Sequence, residues 1–278
     1  DGSGPERHDA FRQVPGAFEA TTRGLACARE GGMPFQVNTT VSRRNLDDLP
    51  AVLRTVIGLG AVAWDVFMLV PSGRGKVEDE VTPEEYEATL NWVYEASRTA
   101  PIPVKVTCGP HYKRVMLERR KRERREAGAA SHPGGEASPS AGVLHGGPQG
   151  ERPGAGGDPG AGGQPGAGGH PAGAGMTRGC MGGYGFCFVS HVGEVYPCGC
   201  LQLSAGNVRD AHFRDIYRDS PLFQVMRDPS RLGGKCGACQ YRSVCFGCRA
   251  RAFGTVGDFM AEEPFCVYRP PARGDSPA

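Results

Sequence analysis

Nine of the chain's eleven cysteines fall between residues 180 and 266: Cys180, Cys187, Cys198, Cys200, Cys236, Cys239, Cys245, Cys248 and Cys266. Thiolates are nucleophiles, redox groups and soft metal ligands, and a cluster this dense exceeds anything core packing requires. Cys236-Gly-Ala-Cys239 and Cys245-Phe-Gly-Cys248 share the two-residue spacing with which a tight turn aims paired thiolates at a metal. A zinc ribbon separates two such pairs by roughly 15–20 residues. Here the second pair follows almost at once, and further cysteines lie far upstream and downstream. Eight candidate ligands fit two four-thiolate sites with interleaved order, so iron–sulfur clusters are the first reading and a zinc site the second. Disulfides are disfavoured, because the cysteine count is odd and no export signal is visible.

Other residues could add chemistry. Phe186 to Cys198 reads as strand, Gly turn and strand, a hairpin with cysteines near both ends whose apolar residues would shield a cluster from water. His191 falls in its turn and is read as exposed rather than ligating. His111-Tyr112, after Gly109-Pro110, could supply a general acid and base or a contact to a flat aromatic ligand. Cys27 and Cys108 have no thiol near them in sequence and are expected to be buried and inert.

The elements that must position these groups are of two kinds. Phe35 to Val41 is a β-branched run, Ala61 to Val70 is continuously apolar, and Pro101 to Cys108 returns as a further strand. Between them, Leu46 to Leu59 carries apolar residues at helical spacing, and Thr82-Pro83-Glu84-Glu85 starts a helix expected to reach Ser97. A helix is also expected to carry Phe18, Leu25 and Ala26. Strands alternating with helices imply βαβ units and a parallel sheet, so the fold class is α/β in front of a cysteine-rich, hairpin-containing domain. The run Glu118 to Glu126 is read as a solvated helix end with internal Glu–Arg pairs. Residues 127–175, dominated by Gly, Ala and Pro, have too little apolar surface to offset ordering and are expected to be a disordered insert. The stripe from Phe213 to Met226 is expected to be the packed face of a helix.

Global composition excludes several partners. Lys+Arg 32 against Asp+Glu 30 gives no reason to expect nucleic acid or a membrane surface, and no apolar run is long enough to span a bilayer. The reading is a cytoplasmic protein. Its first residue is Asp1, inside turn chemistry, so the start of a longer protein is expected to precede it.

The order Cys180-x₁₂-Gly193-x₄-Cys198, Cys236-x₂-Cys239-x₅-Cys245-x₂-Cys248 and Cys266 resembles the SPASM domain of radical SAM enzymes. The common family form spaces the last middle pair by three residues rather than two. The resemblance implies two auxiliary [4Fe–4S] clusters with crossed ligands. Cys180, Cys187, Cys198 and Cys248 would hold one; Cys236, Cys239, Cys245 and Cys266 would hold the other. Cys200 is left spare. His8-Asp9-Ala10-Phe11-Arg12, Asn38-Thr39-Thr40-Val41 and Phe67 to Gly75 look like the fourth to sixth strand regions of a radical SAM barrel.

On that resemblance, residues 1–126 are the C-terminal part of a parallel (β/α)6 partial barrel and residues 176–278 the SPASM domain. Asn38, Ser72, Gly73 and Arg74 would approach S-adenosylmethionine, while the catalytic residues stay unassigned. The family's Cys-x₃-Cys-x₂-Cys loop, which binds the third cluster, is absent from this sequence, so this chain alone is expected to be inactive. Gly179 to Gly185, Ser204 to Val208, Cys245 to Ala252 and Ala261 to Cys266 look closest to enzymes of the alternative haem and haem d₁ pathways. The implied substrate is a tetrapyrrole side chain, with ferredoxin or flavodoxin as electron donor. Peptide-modifying maturases, and a stand-alone electron-transfer or zinc module, are the alternatives.

Overall fold

Three short strand-forming segments, each followed by a helix, build the first half. In the computed structural model, which describes residues 1–73, 75–130 and 178–271, they pair in parallel as β1 (Gln36–Val41), β2 (Ala63–Met68) and β3 (Val104–Thr107). β2 lies in the middle, in register with Gln36 to Val41 on one side and Val104 to Thr107 on the other. Its sequence Ala-Trp-Asp-Val-Phe-Met is buried almost throughout, as a strand covered on both faces must be. Ala61 and Val70, expected at its ends, are buried outside the ladder.

The crossovers follow local signals. α3 (Leu49–Gly58) starts after a short 3₁₀ turn, Leu46–Asp48. α4 (Pro83–Thr99) opens with a complete capping box: Thr82 accepts from the Glu85 amide and Glu85 accepts from the Thr82 amide. Trp64, Val66, Tyr86, Leu90 and Val93 are fully buried and centre the core between sheet and helices. Trp64 Nε1 donates to Thr39 Oγ1 at 2.9 Å, satisfying the one polar atom of that ring.

α1 (Pro5–Arg12) and α2 (Ala17–Glu30) precede the sheet, and α2 has no buried residue. Cys27 is therefore exposed, correcting the expectation of burial. α5 (Tyr112–Ala130) carries the Arg/Glu run as helix, with Arg122 and Glu126 spaced one turn apart as an ion pair. It enters the segment expected to be an insert, whose residues 131–175 lie outside the described ones. Among the described residues, 1–120 and 178–271 belong to one compact unit.

The cysteine-rich half is built from short pieces. β4 (Phe188–Val189), β5 (Glu194–Tyr196) and β6 (Gly206–Asn207) form an antiparallel sheet, and Gly193 turns with a φ of 92°. The stripe from Phe213 to Met226 divides into α6 (Phe213–Asp219) and α7 (Pro221–Arg227). Pro221 explains the break: it pushes Ser220 out of the helical region, to ψ 128°. Phe223 and Met226 are buried, whereas Phe213 is exposed. α8 (Gly234–Ala238) and α9 (Arg249–Val256) complete the chain. Among the described residues no helix is long and apolar enough to cross a membrane.

Candidate metal centre

The middle cysteine block is folded so that its second pair is split. Cys236 lies on α8, Cys239 ends that helix in extended conformation, and Cys248 caps the start of α9. Between Cys245 and Cys248, Phe246 and Gly247 both adopt left-handed backbone, with φ of 68° and 62°. Two successive residues there reverse the chain within a single step. Cys245 then lines a cavity with Cys236, Cys239 and Cys266, the four thiols that the resemblance assigned to one cluster.

Cys248 is buried on other neighbours. It packs with Leu201 and Met226, and with the half-buried Cys108, Cys198 and Cys200. Cys180 is close enough to act electrostatically on both Cys198 and Cys248. Cys187, the fourth expected ligand of that set, instead packs with Val195, Ile216 and Phe223 at the start of β4. Three of the four thiols of this set are thus mutual neighbours. The His191 ring lies on the exposed hairpin turn.

Cys108 is not the isolated thiol that sequence distance suggested. It meets Cys200, and the Cys200 thiol is lowered to about 6 by that hydrogen bond first, with Ser72 assisting against burial. Cys108 is raised correspondingly, as the donor of the pair. The two are 92 residues apart, so only the fold could reveal them.

Charge around the cavity is supplied by both halves. The Cys245 and Cys248 thiols are held far above their ordinary value by burial, and Cys266 is pushed up to about 11 by the same cause. Cations oppose that: Arg114 and Lys235 favour the Cys266 thiolate, Arg249 and Lys235 that of Cys236. Buried thiols give up protons only to compensating positive charge, and an iron–sulfur core with cationic neighbours provides it. An all-thiol donor set is the chemistry that iron–sulfur clusters and zinc both accept, and four thiols around one cavity match the four corners of a cubane.

Glu263, fully buried, joins the two thiol sets. Its amide donates to Cys236 Sγ at 3.2 Å, and its Oε2 accepts from the Cys248 amide at 2.6 Å. Arg251 Nη1 stands 3.5 Å from its Oε1. The same fully buried guanidinium donates to Glu80 Oε1 at 3.1 Å and to the Leu69 and Cys108 carbonyls at 3.2 and 3.1 Å. Arg251 thereby ties the cysteine half to the C-terminal ends of β2 and β3. Sequence reading missed both residues, because nothing local marks an arginine or a glutamate as buried.

The residues expected near S-adenosylmethionine fall in different places. Asn38 Oδ1 accepts from Gln36 Nε2 at 2.7 Å and lines a cavity shared with His8, Val52 and Val56. Gly73 lines another at the C-terminal ends of β1 and β2, with Arg12, Thr40, Arg44 and Lys76. Ser72 faces Cys200, and Arg74 lies outside the described residues. His111 is buried against the cysteine cavity, and Tyr112 points away to Ser97 Oγ at 3.4 Å.

The comparisons with known proteins bear on the cysteine-rich unit first. Residues 180–249 match the SPASM family, an iron–sulfur cluster-binding domain. It is 44% identical over 270 residues to the AdoMet-dependent heme synthase of Methanosarcina barkeri, covering 97% of this chain and 66% of that protein. To the enzyme of the same name from Nitratidesulfovibrio vulgaris it is 42% identical, covering 97% and 64%. A PqqA peptide cyclase of Granulibacter bethesdensis is 24% identical, covering 93% and 57%. In fold, the chain is similar to Streptococcus suis SuiB bound to its precursor peptide SuiA, with a TM-score of 0.54 at 14% identity, covering 92% of this chain and 49% of that one. The chain spans less than two thirds of the length of the heme synthases.

Proposed function

We propose that this chain is the rear part of an S-adenosylmethionine-dependent haem-synthesis enzyme that oxidises or decarboxylates the side chains of a tetrapyrrole. The observation that carries the reading is the cavity in which Cys236, Cys239, Cys245 and Cys266 converge among cationic side chains, in a chain 44% identical to a heme synthase. The weaker likeness to peptide cyclases, at 24%, ranks a peptide substrate second.

In this proposal residues 1–126 continue a (β/α)6 partial barrel, 127–175 are an insert, and 176–278 are the domain of two auxiliary [4Fe–4S] clusters. Cys236, Cys239, Cys245 and Cys266 hold one cluster. Cys180, Cys198 and Cys248 hold the other, with Cys187 as the fourth ligand. Bound clusters supply one-electron chemistry, passing electrons between substrate and a donor such as ferredoxin or flavodoxin. This chain's own residues exclude water and hold those sites against the strand ends, where ligands of parallel α/β sheets bind. Asn38, Ser72, Gly73 and Arg74 remain the proposed contacts to S-adenosylmethionine.

The test is anaerobic reconstitution of the purified chain with iron and sulfide. Two cubanes give about eight irons per chain with charge-transfer absorption. Stoichiometric zinc without that absorption would sink the cluster assignment. For the substrate, the full reading frame containing this chain is incubated with S-adenosylmethionine, a reductant and an iron tetrapyrrole bearing propionates; loss of carboxyl groups is the expected product change.

A further inference from the structure

His111 follows β3 and arrives in the cysteine cavity from the opposite half of the molecule. It is 1% exposed, and among the described residues neither ring nitrogen has a hydrogen-bond partner. An imidazole always carries at least one N–H, and leaving it unmet in the interior costs roughly 1–3 kcal/mol. The apparent acceptor fails on distance: Glu263 Oε1 stands 3.7 Å from His111 Nε2. That carboxylate is already engaged by the Cys248 amide and faces Arg251. Tyr86 presents its ring edge-to-face at 4.6 Å between centroids and sends its own hydroxyl to the Cys108 carbonyl. The cavity around His111 is also lined by the cations Arg114, Lys235 and Arg242, which cannot accept, by Tyr241 and Tyr268, whose hydroxyls do not meet the ring, and by Cys236, Cys239, Cys245 and Cys266, among whose sulfur atoms a bound cluster would sit.

From this we infer that His111 is a hydrogen-bond donor to a sulfur of the cluster held by those four cysteines, placed there to raise its reduction potential and not to ligate iron. The inference rests on the cluster reading above and deepens it. A donor to cluster sulfur stabilises the more negative, reduced state, and hydrogen bonds of this kind are among the levers on cluster potential. Ligation is disfavoured because four thiolates already complete the cubane. A residue in this position makes the cluster's potential depend on how the cysteine half is seated on β3.

The test compares His111→Phe and His111→Gln with the unaltered chain after anaerobic reconstitution, by iron count and by redox titration followed by electron paramagnetic resonance. The signal belonging to this cluster is the one that Cys245→Ser removes. The expected result is full iron loading in His111→Phe with the cluster harder to reduce. A tenfold fall in the reduced-to-oxidised ratio at fixed potential, equivalent to 59 mV for one electron, is the anticipated size. His111→Gln, which keeps an N–H donor, returns the potential toward that of the unaltered chain. Loss of the cluster in His111→Phe alone, with Gln loading normally, also supports a required donor. An unchanged potential in loaded His111→Phe overturns the inference, and loss of four irons in both variants overturns it in favour of ligation. An unaltered chain that takes up no iron removes the cluster reading first, and this inference with it.

Discussion

Glu263 shows how much one side chain can hold. Its amide donates to the Cys236 sulfur, its carboxylate accepts from the Cys248 backbone amide and faces Arg251, and it has no exposure to water. Truncating one partner of such a buried ionic network leaves the other charge unpaired, which costs about 3–5 kcal/mol. Glu263→Ala is therefore expected to lower the urea midpoint of the metal-free chain by that amount of stability; a loss below about 1 kcal/mol would show that the network is not formed. Cys200 and Cys108 provide the contrasting case. Their contact with each other accounts for both without a cluster, so Cys200→Ser and Cys108→Ser should each still bind about eight irons. A fall to about four in Cys200→Ser would make it a ligand in place of Cys187. That the cysteines of residues 180–266 would be drawn together was legible from type and spacing, and four of them line one cavity. The pairing of Cys108 with Cys200, and the burial of Arg251 and Glu263, were not, because each depends on contacts across 92, 171 and 15 or more residues that leave no local pattern.

At the scale of elements, the turn at Phe246 and Gly247 separates the Cys245 and Cys248 thiols. Had the four residues from Cys245 to Cys248 continued one turn, both thiols would face one site. Two left-handed residues place Cys245 in the cavity and Cys248 on the packed side. Gly247 has a second constraint: an added Cβ would collide with the Arg249 guanidinium and come within 3.1 Å of Glu263 Cβ. Gly247→Ala is expected to cost about 1–2 kcal/mol from backbone strain alone and to reduce iron uptake at both sites, since the turn carries a proposed ligand of each. Normal loading of both would contradict that role. The strands and the α4 cap were readable because apolar runs and capping residues act within a few positions. The turn was hidden, because phenylalanine gives no signal for positive φ.

For the whole molecule, the question is whether metal loading is felt by the parallel sheet. Arg251 reaches back across 171 residues to Glu80 and across 182 to Leu69, so the cysteine half and the ends of β2 and β3 share one buried polar network. A ligand that binds only the folded form stabilises everything that must be folded for it to bind. His111 extends the same dependence, since the residue facing the cavity belongs to the segment leaving β3. The amides of β2, at the centre of the sheet, are therefore expected to exchange hydrogen more slowly after reconstitution than before it, by at least tenfold if loading adds about 1.4 kcal/mol to opening. The comparison is made by hydrogen exchange on peptides containing Trp64 and Val66, in the loaded and metal-free chain. Protection confined to residues 178–271, with exchange in β2 unchanged, would mean that the two halves open independently and that the Arg251 network does not couple them.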